Sequence, residues 1–377
     1  MCISMAPKTP GSYAIQVNGS RQNRMVGKVT GVDFGTTGIK LAQIKATKDS
    51  FTVEKQAFLP IDPKIISEGR IDPERAVHIV SQLKTLIEQE KFTKEAIMGV
   101  NSVNDVFVGR AITANHSPKE YATAIANDIA VDRGLLVGAK SEGFLFNPIV
   151  YGEINDPDTG ETKLDVLLCG VAENLVTDQA NILKKAGMVV VGCDIAAFAA
   201  LRSIRTAQRD PGHQDVIVDI GKDVLSVLIH ESGVPYYLSL QGDKAGQKAT
   251  YLISDALDDD DMPANDLVKA NLSSVSEAKA LSAASEYNVV AERAINNAIR
   301  NYLNERQTSV PIAGITLIGG GALIRGLQEH LEEAFGIPVR NAEFDPAIQG
   351  EPIRYKADEP LSTDYAVAVG LGMGARV

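Results

Sequence analysis

Alternation of apolar and polar positions opens at Lys28 and runs to Ile44 with one tight glycine-containing break, which predicts strand, turn, strand. The period then becomes helical. Ala76, Ile79, Val80, Leu83, Leu86 and Ile87 share one face of a predicted helix over 72–90, with Asp72 as N-cap and Pro73 at the first helical position. From about Phe107 to Cys193 the pattern shifts to short strands around a helical Ser117–Ile129, a turn-rich Asn155–Thr162, a buried strand at Leu164–Val171 and a helix from Thr177 to Gly187. This reads as a small inserted α+β module. Strand text resumes at Asp215 and is interrupted by four carboxylates, Asp258 to Asp261, ahead of helical text from Ala264 to Leu303. Pro263 stands where a calcium loop requires glycine, so the acidic run is read as a solvated turn. A strand at Ile315–Ile318 then meets Gly319, Gly320 and Gly321, and a predicted helix from Ala322 to Phe335 is closed by Gly336 and Pro338.

Self-similarity supplies the chemistry. Val32-Asp33-Phe34-Gly35 and Val218-Asp219-Ile220-Gly221 share an apolar, Asp, apolar, Gly core 186 residues apart, and each continues into a second strand. Each is therefore a hairpin whose Asp sits in a run otherwise made for burial. An ionised carboxylate there costs several kcal/mol of desolvation unless a cation compensates it. The glycine two residues on lets backbone amides approach an anion, and Thr36 and Thr37 add hydroxyl donors. One such corner is an ordinary hairpin; two facing each other would clasp a polyphosphate, with Asp33 and Asp219 turned to its Mg²⁺ through water. The triplet at 319–321 is neither a dinucleotide fingerprint, since Ile324 fills the sixth position, nor a Walker loop.

Composition narrows the setting. The 377 residues are 45% hydrophobic and exceed what one core usually organises, so two domains are expected. A net charge of −11 with no basic stripe argues against a nucleic-acid groove. Three scattered cysteines form no disulfide framework and suit a reducing cytoplasm. No run approaches the roughly 18 apolar residues of a membrane span, and no signal peptide opens the chain. Residues 1–24 are polar and without period, which predicts a disordered leader. No Cys-His, Ser-His, H-E-x-x-H or G-x-S-x-G arrangement offers other hydrolytic chemistry.

The order of hairpin, hairpin and glycine turn resembles the actin, Hsp70 and sugar-kinase superfamily from Val26 onward. Within it the chain is most similar to the PilM family of type IV pilus assembly proteins, relatives of FtsA. The resemblance rests on Asp33-Phe34-Gly35-Thr36-Thr37-Gly38-Ile39-Lys40-Leu41, on Ala186-Gly187 leading to Asp194 and Phe198-Ala199-Ala200-Leu201-Arg202, and on Tyr365-Ala366-Val367-Ala368-Val369-Gly370-Leu371. It implies an α/β, actin-like (ribonuclease H-like) duplicated two-domain fold with an inserted small α+β subdomain. The implied division is 25–106 as domain 1A, completed by 194–214 and 350–377; 107–193 as the partner-binding insert; 215–256 and 301–349 as domain 2A; and 257–300 as subdomain 2B.

Function follows by the same resemblance. ATP and Mg²⁺ would lie between the halves, with Asp33 and Asp219 holding metal waters and Gly35, Thr36, Thr37, Lys40, Gly221 and Gly246 near phosphates. Gly319, Gly320, Gly321 and Leu323 would lie under the adenosine, Asp266 and Lys269 beside the ribose, and Asp194 with Asp219 would be catalytic, Asp194 orienting water for a slow hydrolysis. The helix over Ser362–Ala375 would cross beneath the cleft as a hinge or as plain tight packing. The implied partner is the N-terminal cytoplasmic peptide of a PilN-like membrane protein, with other platform proteins and self-association, at the inner face of the cytoplasmic membrane and without insertion into it. After Gly370 the sequence leaves no room for the amphipathic tail of FtsA-like proteins, although an FtsA-like filament protein is the alternative reading. Two departures stand out: Ala245-Gly246 where the family generally has Gly-Gly, and Lys222-Asp223 in place of small polar residues.

Overall fold

A computed structural model describes residues 27–46, 51–62, 65–67, 70–72, 75–114, 143–156, 159–204, 212–257, 277–306, 310–344, 347–348, 351–355 and 363–374. The expected leader, the helix at Ser117–Ile129, the acidic run, Asp266 and Lys269 lie outside these residues.

The chain opens with β1 (Gly27–Gly35), β2 (Gly38–Ala46) and β3 (Phe51–Pro60), an antiparallel meander, then the short pair β4 (Ile66–Ser67) and β5 (Arg70–Ile71). Helix α1 (Ala76–Gln89) buries Ile79, Leu83 and Ile87 and leads to β6 (Glu95–Val100). It begins one turn later than the N-cap pattern predicts: Asp72 reaches Arg75 at 3.7 Å and accepts the Ala76 amide through its backbone carbonyl. Next come β7 (Val106–Ala114), β8 (Phe144–Asn155) and β9 (Thr162–Ala172), then α2 (Glu173–Lys185), β10 (Val189–Ile195) and α3 (Ala196–Ser203). The second half repeats the plan with β11 (Gln214–Ile220), β12 (Leu225–Glu231), β13 (Val234–Gln241), α4 (Gly246–Leu257), α5 (Glu277–Arg306) and β14 (Ile312–Ile318). It ends with α6 (Leu327–Phe335), β15 (Val339–Asn341), β16 (Ala347–Ile348), β17 (Glu351–Tyr355) and α7 (Ala366–Met373).

Duplication is written in the sheets. The first runs β10-β6-β1-β2-β3-β17-β16 and the second β13-β12-β11-β14-β15. In both, an antiparallel meander continues through its first strand into two parallel strands, β6 and β10 in one, β14 and β15 in the other. Parallel strands need both faces covered, which explains the largely apolar text of β6, β10 and β14. Around the first sheet the core takes in α1, α2 and α3; around the second it takes in α4, α5 and α6, with Tyr287 and Tyr302 of α5 wholly buried. Ile217, Leu228, Leu238 and Ile318 on the second sheet join the first core, so apolar burial also ties the halves together.

The inserted module is a separate sheet, β7-β9-β8. Its independent part ends at Ala172: α2 contributes Leu175, Val176, Ile182 and Leu183 to the first core, and β10 is an edge strand of the first sheet. The module also touches the second half, where Tyr151 stacks on Tyr236 with ring centres 5.0 Å apart and its hydroxyl donates to the Pro235 carbonyl.

Two predicted helices change form. The 319–335 text makes a 3₁₀ turn at Gly320–Leu323, then α6, because Gly326 adopts φ +75° between them. At the C-terminal end a 3₁₀ turn at Thr363–Tyr365 precedes α7. Helices α3 and α7 cross at Gly370, where an added Cβ would lie 1.7 Å from the Ala199 carbonyl oxygen. Of the two expectations for this stripe of small residues, close backbone packing is what the geometry displays.

Candidate functional site

Between the two meanders lies a cavity of about 460 Å³, within the ordinary range for small-molecule sites. Asp33 on β1 faces Lys40 across the first hairpin and neighbours Gly99 of β6; Asp219 on β11 faces Ser226 across the second and neighbours Ile318 of β14. Both carboxylates line the cavity, so hairpins remote in sequence converge on one space. Gly319 follows β14 directly at φ +82°, and a Cβ there would meet Asp219 Oδ1 at 2.4 Å and the Ile220 oxygen at 2.7 Å. Only glycine lets the backbone pass that corner.

Burial pushes the Asp33 carboxyl up, against the pull of Lys40. Asp219 is pushed up to about 7, through burial first and then the charge of Asp33, with Lys40 opposing. Each side chain is only half-buried by surface, yet both sit deep in the cleft, so desolvation dominates. Two carboxyls held above their ordinary range beside one another form a site that gains from a cation. Among the described residues no three His, Cys, Asp or Glu side chains are grouped closely enough to ligate a metal directly.

The second hairpin is anchored to α4. Gly246 N–H donates to the Gly221 carbonyl at 2.8 Å and Gln247 N–H to the Lys222 carbonyl at 2.7 Å. Gly246 and Thr250 line the cavity, so the positive helix end near it belongs to α4. The helix predicted to open at Ala322 does not start beside the triplet; the 3₁₀ turn there moves the start of α6 to Leu327.

The cavity gathers Asp33, Gly35, Thr36, Thr37, Lys40, Asp219, Gly221, Gly246, Gly319, Gly320 and Gly321. It does not gather Asp194 or Leu323. Leu323 is more than half exposed at the end of its turn. Asp194, only 1% exposed, takes the Ile195 amide at 2.8 Å and pairs with Arg202 at 2.5 Å, whose Nε donates to the Gly370 carbonyl at 3.1 Å. A water-orienting role is thus not what this placement offers; the pair instead braces the crossing of α3 and α7.

A family profile described as Type IV pilus assembly protein PilM matches residues 31–376. The chain belongs to the PilM family. A solved PilM-PilN type IV pilus biogenesis complex superposes with a TM-score of 0.74 at 17% identity, covering 94% of this chain and 100% of that one. The ethanolamine utilization protein EutJ from Carboxydothermus hydrogenoformans superposes at 0.51 with 14% identity, covering 95% and 92%. Among curated protein sequences none matches. The fold is therefore actin-like, a duplicated α/β architecture with an inserted subdomain, and the protein is an actin-like member of the type IV pilus assembly group.

Against the PilM pattern the two departures have different meanings. Ala245 is wholly buried beside Ala249 in the second core, so its methyl group faces packing and not the cavity. Lys222 and Asp223 do line the cavity. Burial lowers the Lys222 ammonium, and the charges of Asp223 and Asp62 hold it up. Sequence reasoning missed Phe58, Asn101, Ala196, Asp364 and Tyr365 on the cavity wall. For the last two a signal existed: they stand at the start of the small-residue helix that crosses beneath the cleft.

Proposed function

We propose that this PilM-family protein is a cytoplasmic ATP-binding scaffold of the inner-membrane assembly platform of a type IV pilus or related secretion system. The observation that carries the nucleotide half is the convergence of both acidic hairpin corners and the glycine triplet on one cavity. In this reading Thr36, Thr37, Lys40 and Gly221 meet phosphates, Gly319 to Gly321 lie under the adenosine, and Asp33 and Asp219 hold the waters of Mg²⁺. Bound Mg²⁺ supplies neutralisation of phosphate charge. Hydrolysis is at most slow, since Asp194 is engaged with Arg202 away from the cavity. The partner half rests on likeness to a complex of PilM with PilN: a short N-terminal cytoplasmic peptide of a PilN-like membrane protein docks beside the inserted sheet and recruits the chain to the inner face of the cytoplasmic membrane. No helix among the described residues is long and apolar enough to cross a membrane.

Two measurements on the full chain test this. Mg-ATP should raise the melting temperature of the wild type and leave Asp33→Ala unmoved, because a ligand that prefers the folded state stabilises it by mass action. No rise for the wild type at millimolar nucleotide would remove the ATP-binding half. A labelled PilN-like N-terminal peptide should bind saturably, and absence of binding would remove the partner half. Excising 107–193 is unsuitable, because it takes α2 and β10 out of the first core.

A further inference from the structure

One contact in the cavity belongs to neither hairpin alone. The Thr36 hydroxyl donates to Asp223 Oδ2 at 2.9 Å, joining residues 187 positions apart across the cleft. We infer that Asp223 is a specificity residue that competes with the terminal phosphate of a bound nucleotide, so that this cleft takes a nucleoside diphosphate in preference to a triphosphate. The inference rests on the nucleotide reading above and names what that site selects.

The reasoning is one of shared donors and like charges. A threonine hydroxyl carries one proton, and while it points at Asp223 it is not available to a phosphate oxygen. The carboxylate stands among the groups that a phosphate would use, with Gly221, Lys222 and Gly246 lining the same wall. It is also held there. Gly221 N–H donates to the Val224 carbonyl at 3.0 Å, and the Lys222 carbonyl accepts from Gln247 at the start of α4, so the backbone on both sides of Asp223 is fixed. With the adenosine over the glycine triplet, as proposed above, the terminal phosphate is the group set against the hairpin turns that carry this clasp. That group must both break the Thr36 bond and sit beside a second anion, whereas a shorter chain stops before it.

The test is titration of the full-length wild type, Asp223→Ser and Thr36→Val with Mg-ADP and Mg-ATP by calorimetry, alongside nucleotide-free hydrogen exchange across 35–37 and 221–224. The wild type should bind Mg-ADP more tightly than Mg-ATP. Asp223→Ser should tighten Mg-ATP by about tenfold or more while moving Mg-ADP far less, the scale of one charge-assisted hydrogen bond and one like-charge contact. Thr36→Val should speed exchange in both segments without nucleotide. Equal effects on the two nucleotides, or unchanged exchange in Thr36→Val, overturn the inference and leave nucleotide binding standing. Failure of every form to bind either nucleotide overturns both.

Discussion

Replacing Asp219 by Asn removes a charge that the folded, nucleotide-free protein holds at a cost. In the unfolded chain the carboxyl titrates at its ordinary 3.8, and in the cleft at about 7, because burial and the neighbouring Asp33 both oppose ionisation. The folded state therefore binds this proton more tightly than the unfolded state. Stability contributed by the group is greatest below about pH 4 and is lost as pH rises toward about 7. The gap between 3.8 and about 7, at roughly 1.36 kcal/mol per pH unit, sets an upper bound on the order of 4 kcal/mol above pH 7. The side chain opens onto the cleft, and screening reduces this to about 2 kcal/mol. Without nucleotide, Asp219→Asn should thus be more stable than the wild type by about 2 kcal/mol near pH 8, an advantage that shrinks by roughly half near pH 5.5. Thermal or urea unfolding of both proteins at the two pH values measures it. The same substitution should abolish stabilisation by Mg-ATP. An advantage that does not change with pH, or a less stable variant near pH 8, would refute the electrostatic account of the cleft.

Three further outcomes follow from the packing. Gly370→Ala should lower stability by about 1–3 kcal/mol in urea titration, since its methyl group would overlap the Ala199 carbonyl and force α3 from α7. Arg202→Met should cost about 3–5 kcal/mol by leaving the Asp194 carboxylate buried without its partner, and adding Asp194→Asn should recover most of that loss. Cys169 and Cys193 should resist a disulfide-exchange thiol reagent until the protein unfolds, because both are buried and burial, aided by the Asp194 charge, pushes their thiols far up. Prompt labelling of either in the native state would contradict the burial.

Much of the site was legible because it is built from strand corners. Asp33 and Asp219 each lie two residues before a glycine at the end of an apolar strand run, and hairpin pairing is a local property of such text. The glycine triplet was legible for the same reason, since it follows β14 immediately. The pairing of Asp194 was not legible, because a carboxylate at a strand end looks the same in sequence whether it faces a cleft or an arginine eight residues on. Where α2 and β10 pack was not legible either: they continue the insert's text without a break but bury their apolar faces against the first core.

What the amino-acid order determined alone is two acidic hairpins and the glycine corner after the strand at Ile315–Ile318, all set by short-range pattern and backbone freedom. Tertiary structure decided which side chains from the two copies meet. Thr36 finds Asp223, burial and then the charge of Asp33 raise Asp219, and α4 rather than α6 turns its start to the cavity. These outcomes depend on how the two sheets approach each other, and a one-dimensional pattern carries no distance between positions 187 residues apart.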